Sequence, residues 1–238
     1  MSNPYAVSSS DRVVALAEKS ERLEFIRRTY LHLGGAVAGL VLLESLLLNS
    51  VGPILMRLLS ASSWGPLVAI VAFMAVSWLA RSWAESSASP QLQYAGLGLY
   101  VVAQAVILAP LLLLANTLDP DGKLPLMAGM VTGIIFLGLT AITFISRADF
   151  SFMGRFLWLM GLAAIAAIIA GSVFGFSLGL WFSVLMVMMA AGYILYDTSN
   201  ILHHYHTSQH VAAALALFAS IAYLFTQILR ILIAMREQ

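Results

Sequence analysis

The chain has 238 residues, 61% of them hydrophobic and 10% charged, with a mean hydropathy of +0.93. Soluble domains run about 45–50% apolar and about 25% charged, so this composition excludes one and specifies an integral membrane protein with the lipid bilayer as its solvent. A net charge of +1 without charge clusters excludes a nucleic-acid partner, and the absence of cysteine excludes disulfides and thiolate chemistry.

Residues 1–28 are the polar part of the chain and read as a cytoplasmic N-terminal tail. Ser8-Ser9-Ser10-Asp11 reads as a disordered lead ending in a helix cap. Arg12 to Arg28 has the spacing of a short surface helix, with Val13, Val14, Leu16, Leu23, Phe25 and Ile26 on its apolar side. No short basic region followed by an apolar run precedes it, so the first spanning helix is expected to act as its own targeting signal.

Residues 29–238 read as one transmembrane domain. A spanning helix needs about 20 residues. Apolar segments at 29–50, 66–82, 93–116, 124–145, 154–174, 178–201 and 211–234 predict seven. Pro110 predicts a kink in the third. Asp119-Pro120-Asp121-Gly122 predicts a turn, Ser146 to Asp149 a break, and Ser199 to His210 another. Trp64, Trp83, Trp158 and Trp181 fall near span ends, where interfacial anchors occur. Gly34, Gly35, Gly39, Gly96, Gly98, Gly129, Gly133 and Gly138 predict close helix contacts. With seven spans, one side receives Arg12, Lys19, Arg22, Arg27, Arg28, Arg81, Arg147 and Arg155, and the other Arg57, Lys123 and Arg236. The positive-inside rule then puts the N-terminus in the cytoplasm.

Ionisable residues inside spans are expensive and mark pathways or partners. Asp197 lies a few residues from the cytoplasmic end of the sixth span, and Arg81 ends the second on the same side, so the two are within reach of one another. One reading is a breakable latch across an internal cavity, with Asp197 titrating. The other is that Asp197 caps local backbone or faces cytoplasmic water. Glu44 and Arg230 lie in the outer halves of the first and last spans, as a candidate structural ion pair, with Arg230 alternatively snorkelling to the interface.

His203, His204, His206 and His210 crowd one loop. Imidazoles at this spacing are candidate zinc or nickel ligands, but no carboxylate or thiolate nearby completes a set. A solvated loop is the better reading, with a contribution to pH sensing as a lesser alternative that ranks above a metal role, and no resident metal or cofactor is expected. No HExxH, GxSxG, phosphate loop or paired protease acid occurs, so the chain does not read as an enzyme.

The run Gly192-Tyr-Ile-Leu-Tyr-Asp197-Thr-Ser-Asn-Ile201 before the histidine loop resembles the sixth helix of the Bax inhibitor-1/YccA family. So do Ala214 to Phe225 followed by Ile-Leu-Arg230-Ile-Leu, Gly96-Leu-Gly-Leu-Tyr100 through Ala109-Pro110-Leu111, Thr140 to Phe144, and Arg147-Ala-Asp149-Phe-Ser151-Phe152. The resemblance spans about residues 25–236. It implies an all-α seven-helix bundle with the C-terminal helix central, in a bacterial inner (plasma) membrane, and a pH-sensitive calcium leak. It further implies that two aspartates on the sixth and seventh helices share a proton and that an arginine latches onto them. Asp197 matches the first aspartate and Arg81 the arginine, whereas Ser220 stands at the second. A carboxylate beside a hydroxyl does not reproduce the coupling of two carboxylates. YccA-like relatives share that serine. For them the implied role is to bind and restrain the membrane-anchored AAA protease FtsH, with the N-terminal tail as handle.

Overall fold

The computed structural model describes residues 12–62, 64–86 and 89–236. The chain forms α1 (Lys19–Ser50), α2 (Gly52–Ser60), α3 (Gly65–Ala84), α4 (Pro90–Leu118), α5 (Lys123–Ser146), α6 (Met153–Phe174), α7 (Gly179–His203) and α8 (His210–Arg236), preceded by a short 3-10 turn at Val14–Leu16. Seven of these helices are long and apolar enough to cross a bilayer, and no strand occurs among the described residues. The protein is thus the all-α multispanning bundle its composition requires.

Local chemistry sets the helix ends. The Ser89 hydroxyl accepts from the Leu92 N–H, and Pro90 occupies the first turn of α4, where its missing N–H is harmless. Asp119 closes α4, and its carboxylate accepts from the Leu124 N–H (2.8 Å) in the first turn of α5. Gly122 between them takes φ 71°, a left-handed conformation that glycine adopts freely. Arg147 ends α5 at φ 52°, a strained value for a residue with a side chain. The helix assignment of α4 continues through Pro110.

Three expectations need correction. Arg12 to Arg28 is not a separate surface helix. Residues from Lys19 are the first turns of α1, which continues unbroken past position 28 because Phe25 is already in the core. Ahead of them, Val14 is fully buried and its N–H donates to the Tyr205 carbonyl (2.9 Å), while Thr207 N–H donates to the Arg12 carbonyl (3.0 Å). The segment is thereby docked on the α7–α8 loop; Ser8 to Asp11 lie outside the described residues. The break expected from Ser199 begins only at His204, five residues later, since α7 runs to His203 and the Asn200 carbonyl accepts from both His204 and Tyr205. Finally, α2 was not expected. Pro53 starts it and Arg57 sits in its last turn.

The last span is the centre of the bundle. Every residue from Val211 to Ser220 is buried, and α8 packs against α1, α3, α4, α5 and α7. Ala212, Ala213, Ala214, Ala216 and Ala219 make this possible, because small side chains let several helices approach one axis in lipid. The glycines behave less uniformly than expected. At Gly96 an added Cβ would stand 2.5 Å from the Ala80 carbonyl oxygen and 2.6 Å from the Ala84 nitrogen, so this residue is where α3 touches α4. Gly34, Gly35, Gly98, Gly129, Gly133 and Gly138 have no protein atom within 4 Å of such a Cβ. They are not helix contacts. Trp64, Trp158 and Trp181 are exposed on the outside, and Trp83 is half-buried.

Candidate functional site

Successive spans alternate in direction, so Arg22, Arg81, Arg147 and Arg155 share one end of the bundle, called here the arginine-rich end. Asp197 lies on α7 six residues before its last residue, about 9 Å from the helix end. It is buried, with 9% of its surface accessible, between Ile194 and Ile201, neither of which is exposed at all. Ser220 faces it from the middle of α8, and its hydroxyl donates to Asp197 Oδ2 at 2.5 Å. A hydrogen bond to a charged acceptor is short and strong, and in lipid no water competes for it.

α7 is held in register along its α6-facing flank, which begins one turn before Asp197 at Tyr193. An added Cβ at Gly192 would stand 2.9 Å from Leu157 of α6, and one at Gly154 of α6 would stand 2.7 Å from the Tyr196 ring. The Tyr193 hydroxyl donates to the Leu157 carbonyl (3.1 Å). These close contacts leave the Asp197 face turned towards α8.

Arg81 stands at the mouth of this site. It is exposed, and its guanidinium carbon lies 5.7 Å from the centroid of the Tyr100 ring, a cation–π distance. The charge acts on Asp197, but no arginine nitrogen comes within 4.0 Å of the carboxylate among the described residues. The structure therefore brings Asp197 and Ser220 into contact and leaves Arg81 near them, resting on an aromatic face. Tyr100 was not singled out from sequence as a site residue. It is 5% exposed and stacks edge-on against Phe218 of α8 (6.0 Å), so it links the arginine to the central helix. Tyr205, in the α7–α8 loop, adds a further ring. Burial first, then the charges of Asp197 and Glu85, push its hydroxyl above the ordinary tyrosine range.

A second polar cluster braces α7 from outside the span. The Phe150 N–H donates to Ser199 Oγ (2.8 Å), and Ser199 Oγ donates to Asp149 Oδ1 (3.3 Å). His204 Nε2 lies 3.5 Å from Asp149 Oδ2. The Ser151 backbone N–H, then its side chain, and then the nearby histidines hold the Asp149 carboxyl down at about 2. The α5–α6 loop is thus fastened to α7 two residues from Asp197. The sequence contained these residues in the 147–152 motif but not their partner, which lies 50 positions away.

The histidines disperse. His203 pairs with the Ser199 carbonyl, His204 faces Asp149, His206 bridges Val13 through its backbone, and His210 sets its ring at a tilt against His32 of α1 (5.1 Å). Among the described residues no three metal-ligating side chains converge.

The structure does not bring Glu44 and Arg230 together. Glu44 is 6% exposed, and neither of its oxygens has a hydrogen-bond partner. It faces a groove whose α8 wall is Ile221, Ala222 and Phe225. At about 100° per residue, Arg230 shares the face of Tyr223, about a third of a turn from the centre of that wall. Arg230 is exposed, consistent with snorkelling.

Comparison with known proteins bears on this arrangement. The family described as "Inhibitor of apoptosis-promoting Bax1" matches residues 22–238. An uncharacterized membrane protein of Vibrio cholerae is 35% identical over 48% of this chain and 51% of its own length. Protein lifeguard 4 of Mus musculus is 30% identical over 60% of each chain, and Bax inhibitor 1 of Schizosaccharomyces pombe is 33% identical over 47% of this chain and 43% of its own. The matched part spans about half the length of these curated relatives. With the family matched over nearly the whole sequence and seven spans around a central last helix, the chain belongs to the Bax inhibitor family of multispanning membrane proteins.

Proposed function

We propose that the protein is a membrane leak for cations, calcium foremost, controlled where Asp197, Ser220 and Arg81 meet. The observation that carries this reading is a buried carboxylate held by one hydroxyl, with an unpaired arginine in electrostatic reach at its mouth. Arg81 moving from Tyr100 onto Asp197 would neutralise the carboxylate and close the path; its return would open it. The arginine-rich end faces the cytoplasm in this reading, as the positive-inside rule requires. Ser220 supplies no second carboxylate, so any pH response rests on one acid and not on a shared proton.

Purified protein in liposomes, with calcium flux measured from pH 5 to 8, tests the reading. Wild type is expected to conduct with a pH-dependent rate that Asp197→Asn flattens and Arg81→Gln raises. Equal, pH-independent flux from wild type and Asp197→Asn would remove the gate.

The serine at 220 also favours a second reading, a non-enzymatic restraint on a membrane-anchored AAA protease of the FtsH kind. Calcium prefers several oxygen ligands, carboxylates among them, and one carboxylate offers few. A protease co-purifying with the full-length chain from native membranes supports this reading. Recovery of none counts against it.

A further inference from the structure

A groove runs along the outside of the bundle between α1 and α5, floored by α4 and α8, with a volume of about 980 Å³. That is at the upper end of the ~300–1,000 Å³ of small-molecule sites. Its floor, at Leu108, Leu112 and Phe218, is buried, while its rim, at Val41, Met130 and Leu137, is exposed. It therefore opens sideways, where the bilayer would be.

Two independent features mark it as a site. First, Gly34 of α1 and Gly129 and Gly133 of α5 line it, and none has a protein atom within 4 Å of the place a Cβ would take. In membrane bundles such residues ordinarily admit a neighbouring helix; here they leave room that no helix uses. Second, Glu44 lies in the wall, only 6% exposed, and both carboxyl oxygens lack a donor. A buried acid with no partner is expensive, and its chemistry asks for a donor, best a cationic one.

The groove's shape narrows the occupant. Asn116 and Ser45 flank Glu44 at the end away from the arginines. From there the lining is apolar, apart from Thr132, whose hydroxyl donates to the Ala128 carbonyl of its own helix, as far as Tyr30, whose ring meets Phe144 of α5 (6.1 Å) at the other end. Tyr30 and Glu44 are separated by fourteen positions of α1, about 21 Å at the helical rise, longer than the ~15 Å of one leaflet's hydrocarbon. A carboxyl group at one end, a long mostly apolar run, and a single neutral hydroxyl, that of Tyr30, at the other fit a single-chain amphiphile with its cationic head at Glu44.

We infer that this groove binds a long-chain primary amine, its aliphatic chain laid along Gly129 and Gly133 and its ammonium group donating to Glu44. The inference is independent of the proposed gate, since the groove and Asp197 lie on different faces of α8.

The test uses the full-length protein in nanodiscs with a photoactivatable hexadecylamine, cross-links being located by mass spectrometry. A photoactivatable hexadecanoic acid of the same chain serves as the anionic control. The amine is expected to label groove residues of α1 and α5, and the acid at least tenfold less. Glu44→Leu should cut groove labelling by the amine about tenfold or more. Gly133→Leu, whose Cβ meets no protein atom within 4 Å, should abolish it with Glu44 intact. Labelling spread evenly over lipid-facing residues, equal labelling by the acid, or undiminished labelling of Glu44→Leu each overturns the inference. Labelling that survives Gly133→Leu does so as well.

Discussion

Asp197 and Glu44 are both acids buried in spanning helices, and the fold treats them oppositely. Asp197, towards the arginine-rich end, receives the Ser220 hydroxyl, lies within range of Arg81 and sits on a helix braced from two sides. Glu44, towards the other end, receives nothing and faces a groove. A satisfied acid acts through partners that the protein itself supplies. An unsatisfied one is kept at a cost to stability, and such residues point outward to something the protein handles.

The strongest way to break this contrast is to displace Arg81. Gly96→Ala drives a Cβ into the backbone at Ala80 and Ala84, forcing α3 away from α4 and lifting Arg81 off Tyr100. A loss of at least ~1–3 kcal/mol is expected, read as a lowered unfolding midpoint in detergent. Gly129→Ala, which meets no atom, should be neutral or slightly stabilising.

A pair of substitutions sharpens the contrast by sign. Ser220→Ala strips Asp197 of its donor and should destabilise by about 1–3 kcal/mol. Glu44→Leu removes two unsatisfied oxygens and should stabilise by a comparable ~1–3 kcal/mol in nanodiscs free of amines. Thermal unfolding of both variants checks this. Changes of the same sign would mean that the two acids are not treated differently.

The smallest effect concerns the brace. Asp149 is half exposed, so Asp149→Asn should cost at most ~1 kcal/mol. The folded protein holds this carboxyl at about 2, below its ordinary value of 3.8. Its stabilisation is therefore full above pH ~4 and fades as the pH falls towards 2. Asp149→Asn should abolish that part of the acid-side slope, measurable by following unfolding from pH 5 to pH 2.

Much of the bundle was legible because lipid imposes a simple rule. Each span must be apolar over about 20 residues, so hydropathy located all seven. What escaped depends on direction around a helix axis or on partners far along the chain. α2 has nine residues and an arginine, and reads as loop. The separation of Glu44 from Arg230 follows from the rotational setting of α8, which hydropathy does not encode in a helix buried nearly all round. The Asp197–Ser220 contact was suggested by the resemblance alone. Tyr100 beneath Arg81 depends on the α3–α4 approach at Gly96, and nothing in the spacing of one helix announces its neighbour.

The bridging hydroxyl of Ser199 has a consequence for motion. It accepts from the 147–152 loop and donates back to it, so α7 cannot slide or swivel without dragging the α5–α6 corner along. Among the described residues α3 has no such rivet, and it leans chiefly on α4. Between the two charged partners, the acid is mounted on the anvil and the guanidinium on the hinged arm, and any change in their separation falls to the arm.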